Sequence, residues 1–89
     1  MVKRGKLEII RDILKIVQDN RNSIKPTPLL RKSSLSSSSF KEYYTELLER
    51  QLITEVQIKN DKFVVLSEKG FKFIERYKSI AEFIDEFEL

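Results

Sequence analysis

Apolar side chains near the start of the chain recur at helical spacing. Leu7, Ile10, Ile13, Leu14 and Val17 form one stripe, widened by Ile9 and Ile16, while Lys6, Arg11, Asp12 and Lys15 take the opposite face. The pattern predicts an amphipathic helix from about Lys6 to about Gln18. The polar run Asp19-Asn20-Arg21-Asn22-Ser23 ends it. In Lys25-Pro26-Thr27-Pro28, Thr27 reads as an N-cap and Pro28 as the first helical residue, where a missing N–H costs nothing. The short helix Pro28 to Ser33 is expected to bury Leu29 and Leu30 and to turn Arg31 and Lys32 outward. Leu35 then plugs the turn between Ser33 and Ser36.

The run Ser36 to Ser39 has the composition of a flexible linker, but it leads directly into Phe40, Tyr43, Tyr44, Leu47, Leu48 and Leu52 at spacings of three and four. A third helix of about residues 37–50 follows, with Ser36 as its N-cap. Beyond Leu52-Ile53 the period changes to two. Val56, Ile58, Phe63 and Val65 alternate with Glu55, Gln57, Lys59 and Lys62 around Asn60-Asp61, the pattern of a β-hairpin over about residues 54–66. Ser67 caps a fourth helix, with Glu68 near the positive end of its dipole, and this helix runs to about Phe87. The order helix, helix, turn, helix, hairpin, helix predicts a mainly α fold with a two-stranded β-hairpin wing: a winged helix-turn-helix with a long C-terminal helix. Residues 1–66 form its body and residues 67–89 a C-terminal helix of the same single domain.

Eighty-nine residues allow one domain. At this size, folding removes only roughly 60% of the chain's accessible surface, so a second copy burying more apolar area would add stability. The chain has neither Cys nor His. No disulfide or thiolate metal site can form, most zinc chemistry is excluded, and the usual general base is missing. An enzyme would have to rely on pairs such as Glu46 with Glu49 or Asp85 with Glu86, all in ordinary helical contexts. Neither catalysis nor a cofactor is therefore expected. The basic start is followed by Glu8, Arg11, Asp12 and Lys15, which predicts neither a signal peptide nor a membrane span, and hence a cytoplasmic protein. The formal charge of +3 hides an asymmetry: residues 79–89 carry −4 and residues 1–78 carry +7. A basic body favours a polyanionic partner.

The second helix of a helix-turn-helix enters the major groove with its N-terminal residues toward the bases. With Phe40, Tyr44 and Leu47 facing inward, Ser37, Ser38, Lys41, Glu42 and Thr45 project outward as candidate groove contacts. Small hydroxyls bond to phosphates or to either base type, and no Arg, Asn or Gln faces outward here, so modest sequence specificity is expected. Candidate phosphate contacts are Lys25, Arg31 and Lys32 around the second helix, Lys59 and Lys62 on the wing, and Lys3, Arg4 and Lys6 at the N-terminus. Glu42 and Glu46 oppose a polyanion. The competing expectation is a winged-helix module that docks proteins, its basic surface being incidental.

The last helix carries a heptad seam of Phe73, Tyr77, Ile80, Ile84 and Phe87, widened by Ile74, Ala81 and Phe83. Phe71 and Ile74 in its first turns are expected to pack on the body, but from about Ser79 the helix should outrun it. The seam predicts a homodimer interface of Phe73, Ile74, Tyr77, Ile80, Ala81, Ile84 and Phe87. An antiparallel sense places the acidic tail against Lys72, Arg76 and Lys78 of the second copy.

The opening Lys3 to Leu14, the stretch Leu35-Ser36 with Phe40-Lys41-Glu42-Tyr43 and Leu47 to Ile53, and the segment Leu66 to Gly70 with Phe73 to Tyr77 together resemble a family of small archaeal winged-helix proteins. The resemblance covers nearly the whole chain. It implies a protein that binds double-stranded DNA and dimerises through an antiparallel coiled coil of C-terminal helices. Members are chromatin-like proteins or transcriptional regulators of archaea, their plasmids and their viruses. Pro28 stands where the family tends to be basic, Ser34 where it often has Asn, and Gln51 where Gly is frequent.

Overall fold

The structure, a computed structural model, describes residues 5–88. Four helices and one hairpin follow the expected order: α1 (Lys6–Asp19), α2 (Pro26–Ser33), α3 (Ser37–Glu49), β1 (Ile53–Ile58), β2 (Asp61–Leu66) and α4 (Glu68–Glu86). This is a winged helix with a long C-terminal helix. Its core gathers Ile10, Ile13, Leu14 and Val17 of α1, Leu29 of α2, Phe40 and Leu47 of α3, and Ile53, Val64 and Leu66 of the hairpin, closed by Ile24 and Leu52. Leu7, placed on the buried stripe by its spacing, is exposed instead. It lies in the first turn of α1, beyond the reach of the core, and shares a groove with Ile80, Ala81 and Ile84.

α2 starts two residues earlier than the Thr27 cap predicts. Lys25 is the N-cap, in extended backbone, and Pro26 begins the helix. A residue before proline is pushed out of the helical region, which suits a cap, and both prolines lie in the first turn, where their missing N–H has no helical acceptor. Ser34 ends the helix in the left-handed region (φ 61°). The buried Ser33 hydroxyl donates to the Leu30 carbonyl (2.7 Å) and accepts from the Leu35 N–H (3.3 Å), which closes the helix-turn-helix corner. Ser36 caps α3 as its sequence predicts, accepting from the Ser39 N–H at 3.2 Å.

The hairpin pairs Ile53 with Leu66 through Ile58 with Asp61, so the turn is Lys59-Asn60 rather than Asn60-Asp61, with Lys59 left-handed at φ 57°. The face that carries the regular alternation, Val56, Ile58, Phe63 and Val65, is not the one turned to the core. Ile53, Val64 and Leu66 point to the core, whereas Val56 and Ile58, the most regular of the alternating residues, are exposed. The core side of β2 is fixed by a third segment: Ile24 and Val64 exchange backbone hydrogen bonds of 3.1 and 2.7 Å. Asn22 adds a side-chain tie, accepting from the Leu66 N–H at 2.8 Å.

Gln51, in the turn between α3 and β1, has φ 61°. A left-handed residue with a Cβ carries a steric cost of about 1–2 kcal/mol that glycine avoids, partly offset by the greater freedom of an unfolded glycine. Gln51→Gly is expected to raise stability by about 0.5–1 kcal/mol. A higher urea midpoint at unchanged slope is the measurement, and an unchanged or lower midpoint refutes it.

Candidate nucleic-acid interface

Every predicted contact of α3 is on its exposed surface: Ser37, Ser38, Lys41, Glu42 and Thr45 all face away from the core. Phe40 and Leu47 anchor the other side, and Tyr43 packs partly buried against the core. The two halves of the exposed surface differ in charge. The stretch from Ser37 to Lys41 offers hydroxyls and the Lys41 ammonium. A shallow groove along the rest is lined by Glu42, Glu46 and Glu49 against Lys41 and Arg50.

Part of that negative charge is already compensated. Lys6 of α1 reaches Glu46 at 3.1 Å, and the Arg50 Nε donates to the same carboxylate oxygen at 2.9 Å. The Lys6 hydrogen bond, with Arg50 second among the favourable partners, holds the Glu46 carboxyl below the usual carboxylate range. A depressed native pKa contributes stability above the ordinary carboxylate range that is lost as the pH falls through the lowered value. Lys6 is thus engaged with α3.

The remaining candidate cations lie on separate elements. Arg31 and Lys32 are exposed in the last turn of α2. Lys59 sits at the tip of the wing. Lys25, at the start of α2, pairs with Asp61 of the wing at 3.4 Å and lies 5.8 Å from the centre of the Phe63 ring. Lys62 pairs with Glu55 at 3.6 Å. Lys3 and Arg4 lie outside the described residues.

The sequence reading missed one contact. The Tyr44 hydroxyl of α3 donates to the Glu55 carboxylate of β1 at 2.5 Å. Burial first, and then this hydrogen bond, push the Tyr44 phenol well above its ordinary value, so it stays a neutral donor. The two residues are eleven apart on different elements, and no periodicity marks such a pair.

On α4, Phe73 and Ile74 are half-buried against their own core, so Phe73 rather than Phe71 pairs with Ile74 in docking the first turns. Tyr77 is half-buried under the Arg11 guanidinium, 5.2 Å from the ring centre. Every described residue from Lys78 on is exposed, including Ile80 (59%), Phe83 (55%), Ile84 (43%) and Phe87 (58%). Among the described residues no acidic cluster is arranged to hold a metal ion, and no helix is long and apolar enough to cross a membrane.

A short α2, a tight corner, a solvent-facing α3 and a two-stranded wing define a protein of the winged helix-turn-helix class. Residues 3–85 match the model of the winged helix-turn-helix family, and the chain belongs to that family. Three solved structures are similar to it. One is Sso10a-2, a DNA-binding protein from Sulfolobus solfataricus (TM-score 0.75, 17% identity, covering 94% of this chain and 85% of that one). The second is F93 from STIV, a winged-helix DNA-binding protein (TM-score 0.74, 19% identity, 90% and 92% covered). The third is F-93 of SSV1 (TM-score 0.71, 23% identity, 99% and 95% covered). A comparison with curated protein sequences finds no match.

Proposed function

We propose that this chain is a non-enzymatic, double-stranded DNA-binding protein that acts as a homodimer, either as a transcriptional regulator or as a chromatin-type architectural protein. The observation that carries the reading is the exposed surface of α3, bearing Ser37, Ser38, Lys41, Glu42 and Thr45, together with exposed cations on α2 and the wing. Ser37, Ser38, Lys41, Glu42 and Thr45 would meet the groove. Lys25, Arg31, Lys32, Lys59 and Lys62 would meet phosphates, joined by Lys3, Arg4 and Lys6, the first residue of α1. The serines favour readout of backbone and shape over bidentate base contacts. Two of the similar structures are described as DNA-binding proteins, which supports the same reading.

The dimer is proposed through α4. Its 19 residues span roughly 28 Å at 1.5 Å per residue, and the outer part presents an uncovered apolar face. A second α4, running antiparallel, would cover that face and place Glu82, Asp85 and Glu86 near Lys72, Arg76 and Lys78. The interface residues are Phe73, Ile74, Tyr77, Ile80, Ala81, Ile84 and Phe87.

The DNA reading is tested by the affinity of the whole chain for a random-sequence duplex over a series of salt concentrations. Binding should be tight at low salt and fall by about 0.9 log units per phosphate contact for each tenfold rise in salt. Absence of binding at the lowest salt overturns it. For the dimer, Ile80→Asp with Ile84→Asp should halve the mass found by sedimentation equilibrium. An unchanged dimer mass would rule out α4 as the seam.

A further inference from the structure

Glu55 is out of place on a surface meant for a polyanion. It lies on the wing, on the face turned toward α3, and a lone carboxylate there would repel phosphate. The structure instead gives it two partners on two elements, at a single oxygen. Its Oε2 accepts the Tyr44 hydroxyl of α3 at 2.5 Å and lies 3.6 Å from the Lys62 ammonium of β2. Lys62 and Glu55 are diagonal neighbours on one face of the hairpin, since Glu55 is paired with Val64 and Lys62 with Gln57.

The hairpin has reason to need such a tie. Two strands alone are marginal in water, and beyond Ile53 every β1 residue is exposed. The base of the wing is held by the core and by the Ile24–Val64 bridge, and its other face by Lys25 on Asp61 and over Phe63. On the side facing α3, the Tyr44–Glu55 hydrogen bond joins β1, at the level of Val64, to the helix.

We propose that Glu55 is a positioning residue for nucleic-acid contact. Its carboxylate, bound by Tyr44, locks the wing to α3 and holds the Lys62 ammonium where the duplex that α3 engages also passes. Helix and wing then present phosphate ligands as one rigid unit, and the ordering of Lys62 is done before binding. The proposal rests on the DNA-binding reading above.

The test compares Tyr44→Phe, Glu55→Ala and Glu55→Gln with the parent chain, using a labelled random-sequence duplex and fluorescence anisotropy over a salt series. Circular dichroism establishes that each variant is folded. Tyr44→Phe removes one oxygen at the surface, and Glu55→Gln still accepts from the phenol but carries no charge. Tyr44→Phe and Glu55→Ala should bind about 3–10-fold more weakly at low salt, the worth of one hydrogen bond. Their salt dependence should be shallower by about one phosphate contact. Glu55→Gln, which keeps the wing tied to α3 but loses the ion pair to Lys62, should bind more tightly than Glu55→Ala.

If Glu55→Ala binds as tightly as Glu55→Gln, Glu55 acts only as a repulsive charge and the proposal falls. It falls equally if Tyr44→Phe matches the parent in affinity and salt dependence. Absence of duplex binding by the parent chain removes the DNA reading itself, a result distinct from variants that bind like a binding-competent parent.

Discussion

Gly70→Ala should lower the midpoint of thermal unfolding by roughly 10–20 °C, the shift that a loss of about 2–3 kcal/mol produces in a chain of this size. Gly70 lies in the first turn of α4, where a Cβ would sit 2.2 Å from the backbone oxygen of Leu52 and 3.3 Å from its carbonyl carbon. Neither is the end of a flexible side chain that can swing away. The same Leu52 oxygen accepts the Ser67 N–H at 3.2 Å, and the Ser67 hydroxyl both donates to the Gln51 carbonyl (2.6 Å) and accepts from the Gly70 N–H (3.0 Å). To relieve the clash, α4 must lift off the α3–β1 turn, which breaks these bonds and unseats Phe73 and Ile74 from the core. A circular-dichroism melt measures the effect. A midpoint within about 2 °C of the parent would show that the turn yields freely.

Arg31→Glu combined with Lys41→Glu should weaken duplex binding about 10²–10⁴-fold at low salt, taking about 1.5–3 kcal/mol for each charged hydrogen bond lost. Arg31 ends α2 and Lys41 lies in the second turn of α3, both exposed and on opposite sides of the helix-turn-helix corner. The salt dependence should become shallower by about two phosphates. Arg21→Glu with Lys69→Glu changes the formal charge equally at exposed residues that belong neither to the proposed DNA face nor to the α4 seam. Anisotropy titrations of both pairs separate a located site from general attraction. If the two pairs lose affinity equally, the α3 face is not the docking site.

How legible each part was in the sequence depends on the range of the interaction that decides it. The Ser36 and Ser67 caps were readable because a cap bonds within three residues, and both bonds are present, to the Ser39 and Gly70 N–H groups. The amphipathic stripes of α1 and α3 were readable because core-facing residues repeat at the helical period. Leu7 and Phe71 were misread because the same period continues past the edge of the core, and only the packed body shows where it stops. The wing was recognised from its alternation, but its faces were not. Moving the two-residue turn to Lys59-Asn60 shifts each cross-strand partner by two and keeps Val56, Ile58, Phe63 and Val65 on one face, so the turn alone does not decide which face is inward. The pairing of Ile24 with Val64 then settles which side meets the core.

The departures from the family pattern divide in the same way. Ser34 and Gln51 stand where Asn and Gly are frequent, and both adopt φ 61°, the region that those two residue types enter most easily. The substitutions could be seen in the chain, but their cost becomes visible only with the backbone. Among the cations, Arg31, Lys32 and Lys41 are exposed as their helical positions predict, whereas Lys6, Lys25 and Lys62 hold carboxylates of distant elements.

By itself, the sequence determined the order and type of the elements, the outward side of α3, the basic body and the acidic end of the last helix. Each follows from local periodicity, capping or charge, which act within a few residues. The tertiary structure alone decided which face of the wing is buried, which lysines are already engaged, why residue 70 must be glycine, and that Tyr44 meets Glu55. Those depend on atoms far apart in the chain being brought within a few ångströms, which no local pattern encodes.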